Sequence, residues 1–288
     1  MNKKYKYPLF FALLICVTGL VVLFLSGDHI AVLNPKGWVA LKQRNLIISV
    51  SLLMLIVVIP VFILTFVFAW KYRANNAKTK YSPEWDHHRV IESIWWSVPC
   101  VIVLIIAILT WKSNHELDPY KPLDPMKKPM RIQVVALQWK WLFIYPEQQI
   151  ATVNFVQFPE QVPIIFEITA DAPMNSFWIP QLGGQIYAMP AMKTTLHLIA
   201  NETGRFRGSS ANLSGKGFAG MRFIAVASSQ ANFDQWIQSI KQSNNRLSLE
   251  HYQQLTEPSE NNPVTSYLLE KEDLFDQILM KYMPGSRE

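Results

Sequence analysis

Hydrophobic residues are unevenly distributed along the chain. Three nearly uncharged apolar blocks occupy residues 8–25, 46–70 and 94–111, and no block of this kind recurs afterwards. Each is close to the roughly 20 residues that cross a hydrocarbon core as a helix. Pro60 and Pro99 interrupt the second and third blocks, which a membrane helix tolerates better than a water-soluble one. Trp70, Trp95, Trp96 and Trp111 lie near the block ends, where interfacial anchors belong. The pattern predicts a transmembrane helical hairpin over 46–114, preceded by an outer-face segment at 28–45.

From residue 130 the apolar period becomes two. In the stretch QVVALQWKWLFIY, Val135, Leu137, Trp139, Trp141, Phe143 and Tyr145 fall on one face of an extended strand, with Gln138 and Lys140 on the other. Ile164, Phe166, Ile168 and Ala170 repeat the alternation, as do Leu196 and Leu198 around His197, and Phe223 and Ala225 beside Ile224 and Val226. Several short strands with turns between them predict one all-β domain, a sandwich or barrel, over 127–228. The period changes again in the tail, 229–288. Phe233, Trp236, Ile237 and Ile240 recur at helical spacing, and Leu274, Ile278 and Tyr282 form the stripe of a later short helix.

Composition and charge set the orientation. The chain has 288 residues, 50% hydrophobic and 17% charged, as befits a membrane protein with a sizeable soluble part. Lys71, Arg73, Lys78, Lys80 and Arg89 make the loop at 71–91 basic, so it stays in the cytoplasm. Everything after Trp111 then lies on the outer face, the periplasm in a bacterium. The block within 1–27 follows Lys3, Lys4 and Lys6 and reads either as a signal sequence or as a retained first helix. Leu25-Ser26-Gly27 ends it as a lipoprotein box would, but Asp28 stands where lipidation requires cysteine.

The two cysteines, Cys16 and Cys100, both fall in apolar blocks. The outer region therefore contains no thiol, which excludes a disulfide, a blue-copper site and a thiolate-bridged metal there.

Two membrane helices followed by an outer β-domain resemble subunit II of the haem-copper oxidases, and local motifs carry the likeness. ESIWWSVP resembles the family's opening of the second membrane helix, QWKW its aromatic strand, NSFWIPQLG its first copper loop and GRFRGSSANLSGKGFAGM its second. YQQLTEPSENNPVTSY with LFDQILMKYM resembles the aromatic-rich tail of the bacterial quinol-oxidizing branch. The resemblance implies a cupredoxin-like Greek-key β-barrel after the helices and a short helical C-terminal tail.

In the cytochrome c-oxidizing members, that barrel holds a dinuclear copper centre bridged by two thiolates. Laid on this chain, the first histidine falls at Asn175, the cysteines at Ser210 and Ser214, the carbonyl-donating glutamate at Asn212 and the last histidine at Phe218. Only the methionine is retained, as Met221. Hydroxyls, amides and a phenyl ring cannot replace soft thiolate and imidazole ligands. Arg205, Arg207, Lys216 and Arg222 give the loop a positive balance, the wrong sign for docking a basic cytochrome c.

The resemblance thus implies a subunit of a proton-pumping oxidase that takes electrons from ubiquinol, in a bacterial inner membrane. This chain carries no cofactor of its own; haems and copper belong to the partner subunit I, and subunits III and IV and membrane lipid complete the surroundings. Cytochrome c and nucleic acid are not partners. Glu92, at the cytoplasmic start of the last membrane helix, is the proton-uptake candidate, because an ionisable group at that depth is a functional hypothesis by default. Two other readings stand beside this one: an aa-type menaquinol oxidase subunit, and a membrane-tethered binding or assembly protein on an inert cupredoxin scaffold.

Overall fold

The computed structural model describes residues 19, 30–74, 76 and 87–283. The first apolar block apart from residue 19, Asp28 and most of the basic loop lie outside the described residues. The chain divides into two compact units, residues 42–118 and the remainder.

The first unit is built from two long helices, α1 (Trp38–Lys71) and α2 (Arg89–Glu116). Both are long and apolar enough to cross a membrane by length and composition. Their large side chains, among them Phe62, Phe66, Trp95, Trp96 and Trp111, are exposed, the opposite of a water-soluble core helix. Pro60 and Pro99 both lie inside continuous helix. Two hydroxyls near the prolines bond back by one turn: Thr65 donates to the Val61 carbonyl at 2.7 Å, and Ser97 to that of Ser93 at 2.5 Å. α1 begins at Trp38, ahead of the apolar block, because its first turn belongs to the other unit. There Val39 and Ala40 are buried, and the Ala40 amide donates to the Leu182 carbonyl at 3.1 Å.

The second unit is a two-sheet sandwich. Its strands are β1 (Met130–Leu137), β2 (Lys140–Tyr145), β3 (Ile150–Val153), β4 (Phe155–Pro159), β5 (Ile164–Ala170), β6 (Asn175–Trp178), β7 (Ile186–Ala188), β8 (Thr194–Leu198), β9 (Gly204–Ser210) and β10 (Arg222–Ser228). The tail adds α3 (Gln230–Lys241), β11 (Arg246–Leu247), α4 (Leu249–Thr256), β12 (Thr265–Leu269) and α5 (Leu274–Met280).

One sheet has the order β11-β12-β3-β2-β1-β5-β8 and the other β4-β10-β9-β6-β7. β1, β2 and β3 form a meander; the chain then crosses to the second sheet as β4 and returns as β5 beside β1. That is the Greek-key order, except that the returning strand is parallel to β1, because the excursion through the opposite sheet restores the chain direction. Between the sheets lies an aromatic core of Trp141, Phe143, Phe166, Phe177 and Phe223. The rings of Phe177 and Phe223 stack at 5.1 Å with 8° between their planes.

Two expectations from the alternation need correction. QVVALQWKWLFIY is a hairpin instead of one strand: the chain reverses at Gln138-Trp139, with Leu137 opposite Lys140 and Val135 opposite Leu142. Trp139 takes up the turn with φ +63° and leaves the aromatic row. Trp141 and Phe143 face the core between the sheets, whereas Val135, Leu137, Leu142 and Ile144 pack with Leu247, Tyr252, Leu274, Phe275 and Ile278 of the tail. This sheet is therefore covered on both faces, and Lys140, assigned to a polar face, is buried.

The second correction concerns the tail, which is not helical throughout. β12 pairs antiparallel with β3, Thr265 opposite Val153, and extends the first sheet. In TSYLL two apolar residues follow a β-favouring Thr-Ser-Tyr run, and the segment is too short for its period to separate strand from helix.

Candidate functional site

β6 and β9 pair with Phe177 opposite Ser210, which brings Asn175 and the loop that follows β9 to one end of the sandwich. Asn175 and Ser210 are buried. The Ser210 hydroxyl donates to Oδ1 of Asn175 at 3.0 Å, and Nδ2 of Asn175 donates to the Pro173 carbonyl at 2.7 Å. Nδ2 of Asn212 donates to the Met174 carbonyl at 2.9 Å, and the Ala211 amide to that of Ser176 at 3.0 Å. Three of the positions read from the resemblance thus meet, joined by neutral hydrogen bonds.

The remaining positions play different parts. The Trp139 indole donates to the Ser214 carbonyl at 3.1 Å, so the strained turn of the β1–β2 hairpin holds the middle of the loop. Gly217 lies against the same ring, where a Cβ would collide with it. Phe218 opens a short 3₁₀ turn, Phe218–Gly220, and is half-buried, outside the hydrogen-bonded group. Met221 is buried, and its carbonyl accepts from the Ser210 amide at 3.2 Å.

A dinuclear copper centre does not fit this set. Asn175, Ser210, Asn212, Ser214 and Phe218 offer amide and hydroxyl oxygens and a hydrocarbon ring, and the hydroxyl and amides that do converge are already bonded to one another or to backbone. The histidines of the region stand apart. His197 and His251 bond through Nδ1 to the carbonyls of Pro119 and Arg246, both at 2.9 Å, and Nδ1 of His115 to that of Trp111 at 2.8 Å. Among the described residues no group of three or more His, Cys, Asp or Glu is placed to hold a metal ion.

Glu92 stands in the first turn of α2, where a carboxylate suits the helix dipole. Its Oε1 accepts the His88 amide at 3.1 Å while Nδ1 of His88 accepts the Ile91 amide at 3.4 Å, a reciprocal cap with histidine in the usual serine or threonine place. Nδ1 of His87 lies 2.7 Å from the same Oε1. A carboxylate and an imidazole in hydrogen-bond contact, both partly exposed, can pass a proton between water and the helix start.

Two charged groups important to the fold are not apparent in the sequence patterns. Asp171, at the end of β5, has its side chain 1% exposed. It accepts from the Tyr252 hydroxyl at 2.6 Å, from Nζ of Lys281 at 2.8 and 3.0 Å, and from the Tyr282 hydroxyl. Burial alone would raise the carboxyl pKa, but these donors outweigh it and hold the pKa below the ordinary value. Lys140, in β2, donates to the carbonyls of Leu255 at 2.8 Å and Glu257 at 2.9 Å, closing the C-terminal end of α4. Burial lowers its pKa, against a smaller upward pull from Glu257. Each pair joins residues too distant in the chain for a local pattern to show.

Comparison with known proteins is decisive at this point. The COX aromatic rich motif matches residues 241–286, the segment that carries Tyr252, Lys281 and Tyr282. The cytochrome bo(3) ubiquinol oxidase subunit 2 of Pseudomonas putida is 53% identical over 282 residues, covering 98% of this chain and 88% of that protein. The chain belongs to the ubiquinol oxidase subunit 2 family. Ubiquinol oxidase subunit 2 of Acetobacter aceti is 47% identical over 91% of this chain and 86% of its own length. The quinol oxidase subunit 2 of Bacillus cereus is 39% identical over 83% of both chains. Among solved structures, the periplasmic domain of subunit II of the cytochrome oxidase of Bradyrhizobium japonicum is similar over 43% of this chain and 96% of that chain, with 22% identity and a TM-score of 0.39. Membership in the ubiquinol oxidase subunit 2 family agrees with the quinol-oxidizing branch expected from the motifs, and does not favour a non-oxidase binding protein.

Proposed function

We propose that this chain is subunit II of a cytochrome bo-type ubiquinol oxidase of a bacterial inner membrane, a proton-pumping complex that oxidizes ubiquinol and reduces oxygen to water. The observation that carries the reading is the hydrogen-bonded group at Asn175, Ser210 and Asn212, in the place where the resemblance puts copper ligands. A chain without thiolate or imidazole there cannot receive electrons through a dinuclear copper centre. The donor is then a membrane-soluble quinol, and the haems and copper are held by subunit I. Subunits III and IV and lipid complete the assembly.

The role of this chain in that complex is to seat its two apolar helices against the catalytic subunit and to hold its β-domain in the periplasm. Glu92 takes up protons from the cytoplasmic side, with His87 as the imidazole that exchanges with water. The contact of 2.7 Å between them supports this role.

The test is to purify the complex through a tag on this chain and measure oxygen uptake with a short-chain ubiquinol and with reduced cytochrome c. Activity with the quinol alone is expected. Activity with cytochrome c would overturn the reading.

A further inference from the structure

The outward face of the second sheet carries a cluster of charge that the oxidase reading leaves unused. β9 and β10 pair antiparallel with Arg205 opposite Val226, Arg207 opposite Ile224 and Ser209 opposite Arg222. Alternate positions of a strand share a face, so Arg205 and Arg207 point the same way as Arg222 and Ile224, away from buried Phe206 and Phe223. All three arginines are exposed. They line an open groove of about 520 Å³ together with Ile224, Asn262 and Val264.

Among the described residues, no carboxylate pairs with any of the three. Like charges at neighbouring positions of paired strands repel one another, so the groove is favoured by a ligand that supplies the opposite charge. Guanidinium groups fix that ligand's chemistry further. Each presents a planar fork of donors that matches two oxygens of an oxyanion. A side-chain carboxylate offers one charge and two oxygens to three forks, whereas a phosphate monoester offers nearly two charges and three free oxygens. Ile224 and Val264 give an apolar edge for the carbon that such a phosphate is attached to, and the volume lies within the usual range of small-molecule sites.

We propose that the groove bounded by Arg205, Arg207 and Arg222 is a binding site for a phosphate monoester, carried either on a lipid headgroup or on a free organic phosphate. The ladder between β9 and β10 fixes the backbone positions from which the three arginines extend.

The purified complex, titrated calorimetrically with glycerol phosphate and separately with a monomeric short-chain phosphatidic acid, tests this. Binding of at least one probe is expected, weakening as salt rises because exposed charges are screened. The triple variant R205Q/R207Q/R222Q is expected to bind at least about tenfold more weakly, as each 1.4 kcal/mol is a factor of ten. Arg207→Lys, which keeps the charge and loses the fork, is expected to fall between them. Oxygen uptake with ubiquinol should be the same in all three proteins, so failure of this site and failure of the oxidase reading are read separately. Much tighter binding of the phosphatidic acid assigns the site to lipid, and equal binding assigns it to a free phosphate. If the wild-type complex binds neither probe, as it would with an acidic segment of another subunit already covering the groove, the proposal is overturned. Equal affinity in the wild type and the triple variant overturns it as well.

Discussion

The hydroxyl of Tyr252 donates a 2.6 Å hydrogen bond to Oδ2 of Asp171, joining residues 81 positions apart. With Lys281 on both carboxylate oxygens and Tyr282 on Oδ1, one buried acid fastens α4 and the residues just after α5 to the end of β5.

Replacing Asp171 by Asn should therefore release the tail before it affects the sandwich. Hydrogen bonds to a charged group each contribute about 1.5–3 kcal/mol, and the partners freed here partly regain water. A loss of about 2 kcal/mol is expected, read as roughly thirtyfold faster amide exchange in α5, with the amides of β1 and β2 unchanged. Equal exchange in the variant would mean that the tail is held by its apolar face alone.

The same clamp predicts how the tail responds to pH. The Asp171 carboxyl is held below its ordinary value of 3.8, so its contribution is present above that value and is lost as pH falls through the lower, folded one. For Lys281 burial works downward, but Asp171 dominates and raises the amine above 10.5. Its contribution is complete below 10.5 and disappears as pH rises beyond the folded value. Tyr252, raised chiefly by burial, adds to the alkaline loss above 10.0. The protection of the α5 amides, taken relative to the free-peptide exchange rate at each pH, should thus stay flat from about 5 to 9 and fall at both ends.

Lys140→Met should fray α4 at its C-terminal end. The methyl thioether fills the space but leaves the carbonyls of Leu255 and Glu257 without their shared donor, at a cost of about 1–3 kcal/mol. Limited proteolysis should find a new cleavage near Glu257 in the variant and none in the wild type.

Gly217→Ala places a methyl group against the Trp139 ring and should shift the loop at a cost of about 1–3 kcal/mol, as overpacking does. A changed tryptophan emission with unchanged ubiquinol oxidation is the expected pair of results.

Glu92→Gln should slow turnover with ubiquinol while leaving assembly intact, because amide and carboxylate fill the same space but only the acid transfers a proton. Turnover unchanged at every pH would remove Glu92 from the uptake path.

Much of the architecture was legible in the chain itself. Apolar blocks with tryptophans at their ends announce α1 and α2, since a span without charged residues has few other uses. The alternation at Ile164, Phe166 and Ile168 announces β5 because its other face carries Glu167 and Thr169. The reading failed where that contrast was lost: β2 is buried on both faces, so apolar residues fill every position after Lys140 and the hairpin at Gln138-Trp139 has no glycine to mark it. The polar group at Asn175, Ser210 and Asn212 was legible only by resemblance, since serine and asparagine in a glycine-rich loop look like any turn. Asp171 and Lys140 left no local trace, because their partners are over 80 residues away.

The pairing of β12 with β3 also orders events in time. Until residues 265–269 are made, β3 presents an unpaired edge, and until residues 274–278 follow, the apolar face of Leu142 and Ile144 has only Leu247 and Tyr252 as buried cover. A nascent chain made in order from its N-terminus thus carries an incomplete, sticky sheet for the whole interval between β3 and α5. Chaperones have that interval in which to act, and synthesis stalled anywhere within it leaves a species prone to aggregate.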